Sequence, residues 1–240
     1  MCGTLNGWGY LWVFVSIAFA VGTSMSFFYT AWLTGPALVN GTNDASKLKY
    51  FSDYVDWNKY KDVEFSFSTF RRCNYWSVAE SKTKVFTVNN YSVVEECGRY
   101  RDFSGPLGIP SVSWQVCTLM AGSATAVLIL VALVGLLAVC VNGVFGNRCI
   151  AVCTALVQFA CGLALVGTVL LFPVGWDAER LRMEACGWDA GKYQIGRCSL
   201  GWCYYVTLCC AIGVMVTAII SPAKCGESSD DDDPLPAYMI

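Results

Sequence analysis

No histidine occurs in the sequence, which removes the commonest general base and the commonest transition-metal ligand together. Charge is scarce as well: Asp, Glu, Lys and Arg make up 14% of the 240 residues, against about 25% in an ordinary soluble domain. Where charge is missing altogether is more informative. Residues 1–43, 103–147, 149–176 and 198–223 contain none of the four charged types, and a bilayer span needs about 20 mostly apolar residues. Each gap therefore holds one helix. The N-terminus also lacks the basic residues of a signal peptide, and its apolar run is too long for one, so it is expected to be a true span. With a net charge of −2 and no basic stripe, nucleic acid is excluded as a partner.

What is present divides the chain by polarity. We expect an N-terminus and first span over 1–32, a polar loop over 33–113, a second span over 114–139 and a tight turn over 140–149. A third span over 150–172, a second polar loop over 173–201, a fourth span over 202–221 and a polar tail over 222–240 complete it. The first loop carries ten Lys/Arg, nine Asp/Glu, Cys73 and Cys97, and two Asn-x-Ser/Thr sequons, at Asn40 and Asn90. A sequon is used only in the secretory lumen, so these two asparagines are candidate glycosylation sites and the loop is expected to be extracellular. Long translocated loops escape the positive-inside rule; sequons and cysteines decide the orientation, with both termini cytoplasmic.

In that loop FSFSTF, residues 65–70, alternates aromatic and small polar side chains, the period of a half-buried strand. VFTVNNYSVV, residues 85–94, reads as two strand pieces about Asn89 and Asn90, a turn signal. Cys73 and Cys97 follow these strands. In the second loop WDAERLRMEACG, residues 176–187, reads as one short helix, with Asp177 and Glu179 suiting its N-terminus and Gly187 its stop. KYQIGRCSLG, residues 192–201, reads as an extended piece able to add a strand to the first loop's sheet.

The 14 cysteines sort by compartment. Cys73, Cys97, Cys186 and Cys198 lie in the outer loops, where an even number implies two disulfides and three connectivities; sharing a loop favours Cys73 with Cys97 and Cys186 with Cys198. Cys117, Cys153, Cys161, Cys203, Cys209 and Cys210 fall in spans, where a free thiol acts as a small apolar group. Cys140, Cys149 and Cys225 stand at the cytoplasmic boundary and are candidates for S-palmitoylation. No CxxC pair is present, so neither zinc nor any other cofactor is implied.

Small residues recur at four-residue spacing in three spans: Ala18, Gly22 and Ser26; Ala160, Ala164 and Thr168; Gly213, Thr217 and Ser221. In lipid such spacing lets helices approach closely, whether within one bundle or against a partner. The tail is acidic and disordered by composition. Its last residues, Tyr238, Met239 and Ile240, offer the alternating apolar pattern that enters a PDZ groove by strand addition, which makes a PDZ scaffold a candidate partner. Ser228 and Ser229 precede four aspartates as an acid-directed kinase site would, or simply begin a solvated acidic run.

Five stretches carry a family resemblance: TFRRC (69–73), VEECGRY (94–100), IPSVSWQVCT (109–118), FPVGWDAERLRMEACG (172–187) and GKYQIGRCSLGWCYY (191–205). The chain resembles the LHFPL (lipoma HMGIC fusion partner-like) tetraspan family, relatives of claudins and of stargazin-type receptor subunits. The resemblance implies a claudin-like four-transmembrane-helix bundle with a small extracellular antiparallel β-sheet. It also implies a non-enzymatic auxiliary or assembly subunit of an ion channel or ligand-gated receptor, at the plasma membrane. A claudin-like adhesion or barrier protein is the alternative. The spans lack the charges that mark ion paths and proton relays, which independently argues against a pore or transporter made from this chain.

Overall fold

The computed structural model describes residues 7–36, 60–78, 86–88, 91–99, 109, 111–140 and 148–225. The uncharged runs fold as the helices α1 (Gly7–Phe28), α2 (Val112–Cys140) and α3 (Arg148–Leu171), with a further long helix, Trp202–Cys225, after the second loop. Four segments within them are long and apolar enough to cross a membrane: Gly9–Phe28, Val112–Leu137, Val152–Asp177 and Trp202–Ile220. These helices are apolar on every side, as lipid-embedded helices must be.

The polar stretches build a six-stranded antiparallel sheet of β1 (Leu33–Pro36), β2 (Tyr60–Phe67), β3 (Arg71–Val78), β4 (Phe86–Val88), β5 (Tyr91–Arg99) and β6 (Ser199–Leu200), in the order β4-β5-β3-β2-β1-β6. The expected strand over 65–70 is displaced: β2 stops at Phe67. Ser68 is the reason, since its hydroxyl accepts from the N–H of Arg71 at 3.1 Å and of Phe70 at 3.4 Å and so offers the backbone a turn in place of the ladder. The sheet resumes at once as β3. Cys73 lies within β3 and Cys97 within β5, directly opposite in register. β4 and β5 pair from Val88 with Tyr91 outward, leaving residues 89–90 between them. The short β6 joins the two loops by pairing with β1.

The expected single helix in the second loop is three pieces: a 3-10 turn over Phe172–Asp177, one α-turn, α4 (Glu179–Leu181), and a π-turn over Arg182–Cys186. Ala178, with φ −56° and ψ 122°, interrupts helical geometry between Asp177 and Glu179 and turns the chain back over the bundle. The long helix that follows is α5 (Trp202–Cys225). α1 packs against α2 and α5, and α3 packs against the same two, so α1 and α3 stand on a diagonal.

Sheet and bundle are joined where backbones touch. Gly201 N–H donates to Trp32 O at 2.9 Å and Cys203 N–H to Ala31 O at 3.0 Å, locking the start of α5 to the exit of α1. A Cβ on Gly201 would fall 2.1 Å from Ala31 O, and this obstacle is backbone that cannot rotate aside. Gly201→Ala is therefore expected to destabilise the protein by about 1–3 kcal/mol or more through overpacking, read as a lowered thermal midpoint in detergent. An unchanged midpoint would contradict the close approach.

Candidate functional site

Without a catalytic constellation in the sequence, the candidate functional surfaces are the junction between sheet and bundle and the outward walls of the helices. The junction is aromatic. Trp114 enters it from the first turn of α2, stacks on Phe172 with centroids 4.9 Å apart and donates its Nε1–H to Phe172 O at 3.0 Å. Trp32 also meets Phe172, tilted at 5.1 Å, and donates its Nε1–H to Ser26 O at 2.7 Å. Phe65 and Phe67 from β2, and Ala185, Cys186 and Cys198 from the second loop, close over these rings. Indole rings suit this place because their apolar faces fill the core while each N–H reaches a carbonyl.

Cys186 and Cys198 are disulfide-bonded, 12 residues apart in sequence. Between them Gly196 turns the chain at φ +62°, and a Cβ there would lie 2.3 Å from Cys186 O, so only glycine fits. Cys73, buried beside Thr30, is also disulfide-bonded.

Inside the bundle several hydroxyls bond within their own helix and others to another helix, while Thr125 Oγ1 and Gln158 Oε1 are buried with no hydrogen-bond partner among the described residues. Thr23, Thr168 and Thr217 return their hydroxyls to carbonyls of their own helices. Ser26 donates to Cys203 O at 2.7 Å and shares a hydrogen bond with Thr207, tying α1 to α5. Gln158 of α3 reaches across the diagonal and donates to Ser16 Oγ of α1 at 3.0 Å, both side chains being buried. That bond crosses the axis along which a channel would have to run.

The profile of the family described as Lipoma HMGIC fusion partner-like protein matches residues 8–224. The chain belongs to this family. It is similar to the LHFPL tetraspan subfamily member 2 protein of Homo sapiens, 32% identical over 135 residues that cover 56% of this chain and 58% of the relative. The member 2a protein of Danio rerio is 30% identical with the same coverage. The member 4 protein of Mus musculus is 40% identical over 67 residues, 28% of this chain and 26% of the relative. The aligned stretches thus span less than two thirds of these relatives.

In this LHFPL chain the small residues do not act as continuous seams. Gly22, Ser26, Ala164, Thr168, Gly213 and Thr217 turn inward wholly or in part, while Ala18 and Ala160 are exposed. Each four-residue step advances by about 40° around a helix of 3.6 residues per turn, so the first member of a row, Ala18 or Ala160, stands about 80° from the third and faces outward while the third is buried. The close approaches are local: a Cβ on Gly22 would lie 2.8 Å from Cys210 Sγ, one on Gly213 2.2 Å from the Phe19 ring, and one on Gly162 2.5 Å from Met215 Cγ. Gly162, central to the α3–α5 packing, belongs to none of the rows and was missed for that reason.

Outward, large apolar side chains dominate: Phe14 is 70% exposed, Met25 60%, Leu137 63% and Leu156 65%. At the sheet end Tyr29 and Trp202 pair at 5.4 Å, and both are exposed along with Tyr205 and Tyr193. Such a belt of amphipathic rings is what a membrane–water boundary selects. Asp177 and Glu179 are exposed, and Asp177 faces Lys192 at 3.8 Å; an exposed pair of this kind is worth about 0–1 kcal/mol. Arg182 lies over the Trp188 ring at 5.3 Å, a packing role. Cys140 ends α2, Cys149 lies in the first turn of α3 and Cys225 ends α5, all at the end away from the sheet, with their side chains outside the described residues. Asn40, Asn90, Ser228, Ser229, Tyr238, Met239 and Ile240 also lie outside the described residues.

Proposed function

We propose that this chain is a non-enzymatic auxiliary or assembly subunit of an ion channel or ligand-gated receptor, acting within the same plasma membrane with both termini cytoplasmic. The observation that carries the reading is the Gln158–Ser16 bond across the bundle axis, in helical stretches 9–28, 112–137, 152–171 and 202–220 that contain no Asp, Glu, Lys or Arg. A bundle closed in this way moves nothing through itself, so its working surfaces are the outward walls and the sheet. A client's spans would pack against those walls, where association depends on van der Waals fit rather than on the hydrophobic effect.

Two measurements test this. The purified chain alone in planar bilayers is expected to pass no current, and a reproducible unitary conductance would overturn the reading. Affinity purification of the tagged full chain in gentle detergent, followed by mass spectrometry, is expected to recover a channel or receptor subunit in stoichiometric amount. A claudin-like adhesion or barrier role is the second reading. It draws on β4, which forms an edge of the described sheet, since edge strands invite pairing with another copy. Recovery of the chain itself with junction components, and no channel, would favour it.

A further inference from the structure

At the corner of the sheet nearest the bundle one guanidinium has no partner among the described residues. The turn between β2 and β3 dips between α1 and α2: Thr118 of α2 donates to Thr69 O at 2.9 Å, and the Phe70 ring stacks on Phe27 of α1 at 4.8 Å. Phe28, at the end of the apolar segment Gly9–Phe28, approaches Phe70 edge-on at 6.5 Å and is 58% exposed. The next residue is Arg71, half-buried. It engages the turn through its backbone alone, its N–H donating to Ser68 Oγ at 3.1 Å and its carbonyl accepting from Ser68 N–H at 2.8 Å. No hydrogen bond or ion pair reaches its guanidinium among the described residues.

The register adds a second, independent feature. Arg71 stands directly opposite Arg99, the last residue of β5. Like charges at directly opposed positions destabilise a sheet unless an anion lies between them, and a guanidinium is built to hold a phosphate through parallel N–H donors. Both arginines occupy the strand ends that face the bundle, just beyond the exposed Phe28 and the half-buried Phe70 at the edge of an apolar span. A ligand matching this corner has an anion at the level of Arg71 and Arg99 and apolar chains at the level of Phe28 and Phe70. We propose that this corner binds a phospholipid of the leaflet on the sheet side, with its phosphate at Arg71, next to the register position of Arg99, and its acyl chains along Phe28 and Phe70.

The test is native mass spectrometry of the full chain in detergent, titrated with phosphatidylglycerol and with diacylglycerol of the same acyl chains. The wild-type chain is expected to bind the phosphatidylglycerol at least fivefold more tightly. R71Q is expected to abolish that preference, and R72Q, at the neighbouring position opposite Gly98, to keep it. R99Q reads the same loss independently should R71Q fail to fold. Retention of the wild-type preference in R71Q or R99Q would overturn the proposal. So would displacement of the lipid by glycerol 3-phosphate at equal concentration, which would mark a soluble-anion site instead. The outcome does not depend on whether the chain has a channel or receptor partner.

Discussion

Trp114→Ala is expected to be among the most damaging substitutions, lowering stability by about 3–5 kcal/mol, the usual cost of deleting a fully buried large aromatic side chain. The ring is completely buried and lies almost parallel to Phe172, at 8°, so its removal opens a cavity where α2, α3 and the second loop meet. Neighbours cannot collapse into that space easily, because Trp32 and Trp176 already press on Phe172 from other directions. For a chain of this size the thermal midpoint should fall by roughly 6–20 °C, measured by fluorescence-detected size exclusion after heating. Trp114→Phe separates the contributions. It preserves a stacked ring but leaves Phe172 O without the indole donor, at a cost of about 1–3 kcal/mol. An alanine variant as stable as the wild type would mean that the junction is not the core argued here.

The second large effect belongs to the Cys186–Cys198 bridge. Closing a loop of this length is worth about 3 kcal/mol through the unfolded chain, and loss of a native bridge from a small module typically costs about 2–5 kcal/mol. Position adds to that. Both sulfur-bearing residues are buried beside β1, and a Cβ on Gly35 would lie 2.6 Å from Cys198 Sγ, so the bridge fills the space under β1 while the chain beyond it supplies β6. Cys198→Ser is expected to release β6 and the second loop from the junction. Limited proteolysis should then cut within residues 187–200 while the wild-type chain stays intact. Cys153→Ser, a free and exposed thiol on α3, is the control and should behave as wild type. Equal protection of Cys198→Ser would remove the bridge from any structural role.

The four membrane helices were legible because lipid imposes one requirement along the whole length of a span. No charge is tolerated, and every backbone group must be satisfied within the helix, so the spans appear as long uncharged runs. The β4–β5 hairpin was legible for a local reason as well, since Asn89 and Asn90 punctuate two β-branched runs. β1 was not legible. Its sequence LTGP contains two turn residues, and it is a strand only because β2 and β6 flank it on both sides. Pro36 is tolerated because it ends the strand, beyond the β6 pairing of Leu33 and Thr34. The three-piece turn over residues 172–186 likewise follows from packing against Trp114 and Trp32, not from helix propensity.

The same division holds for the surfaces. Ser16 and Gln158 are 142 positions apart, and nothing in either local sequence marks them as partners. The opposition of Arg71 and Arg99 is invisible until the register of β3 and β5 is known. By itself the sequence determined how many times the chain crosses the membrane and which segments remain polar, because desolvating charge in lipid costs more than local packing can return. Only the tertiary structure decided which small residues touch, which polar side chains bond across the bundle and which arginines stand opposite one another in the sheet. Those outcomes depend on contacts between segments far apart in the chain, and such contacts leave no period or spacing in the sequence.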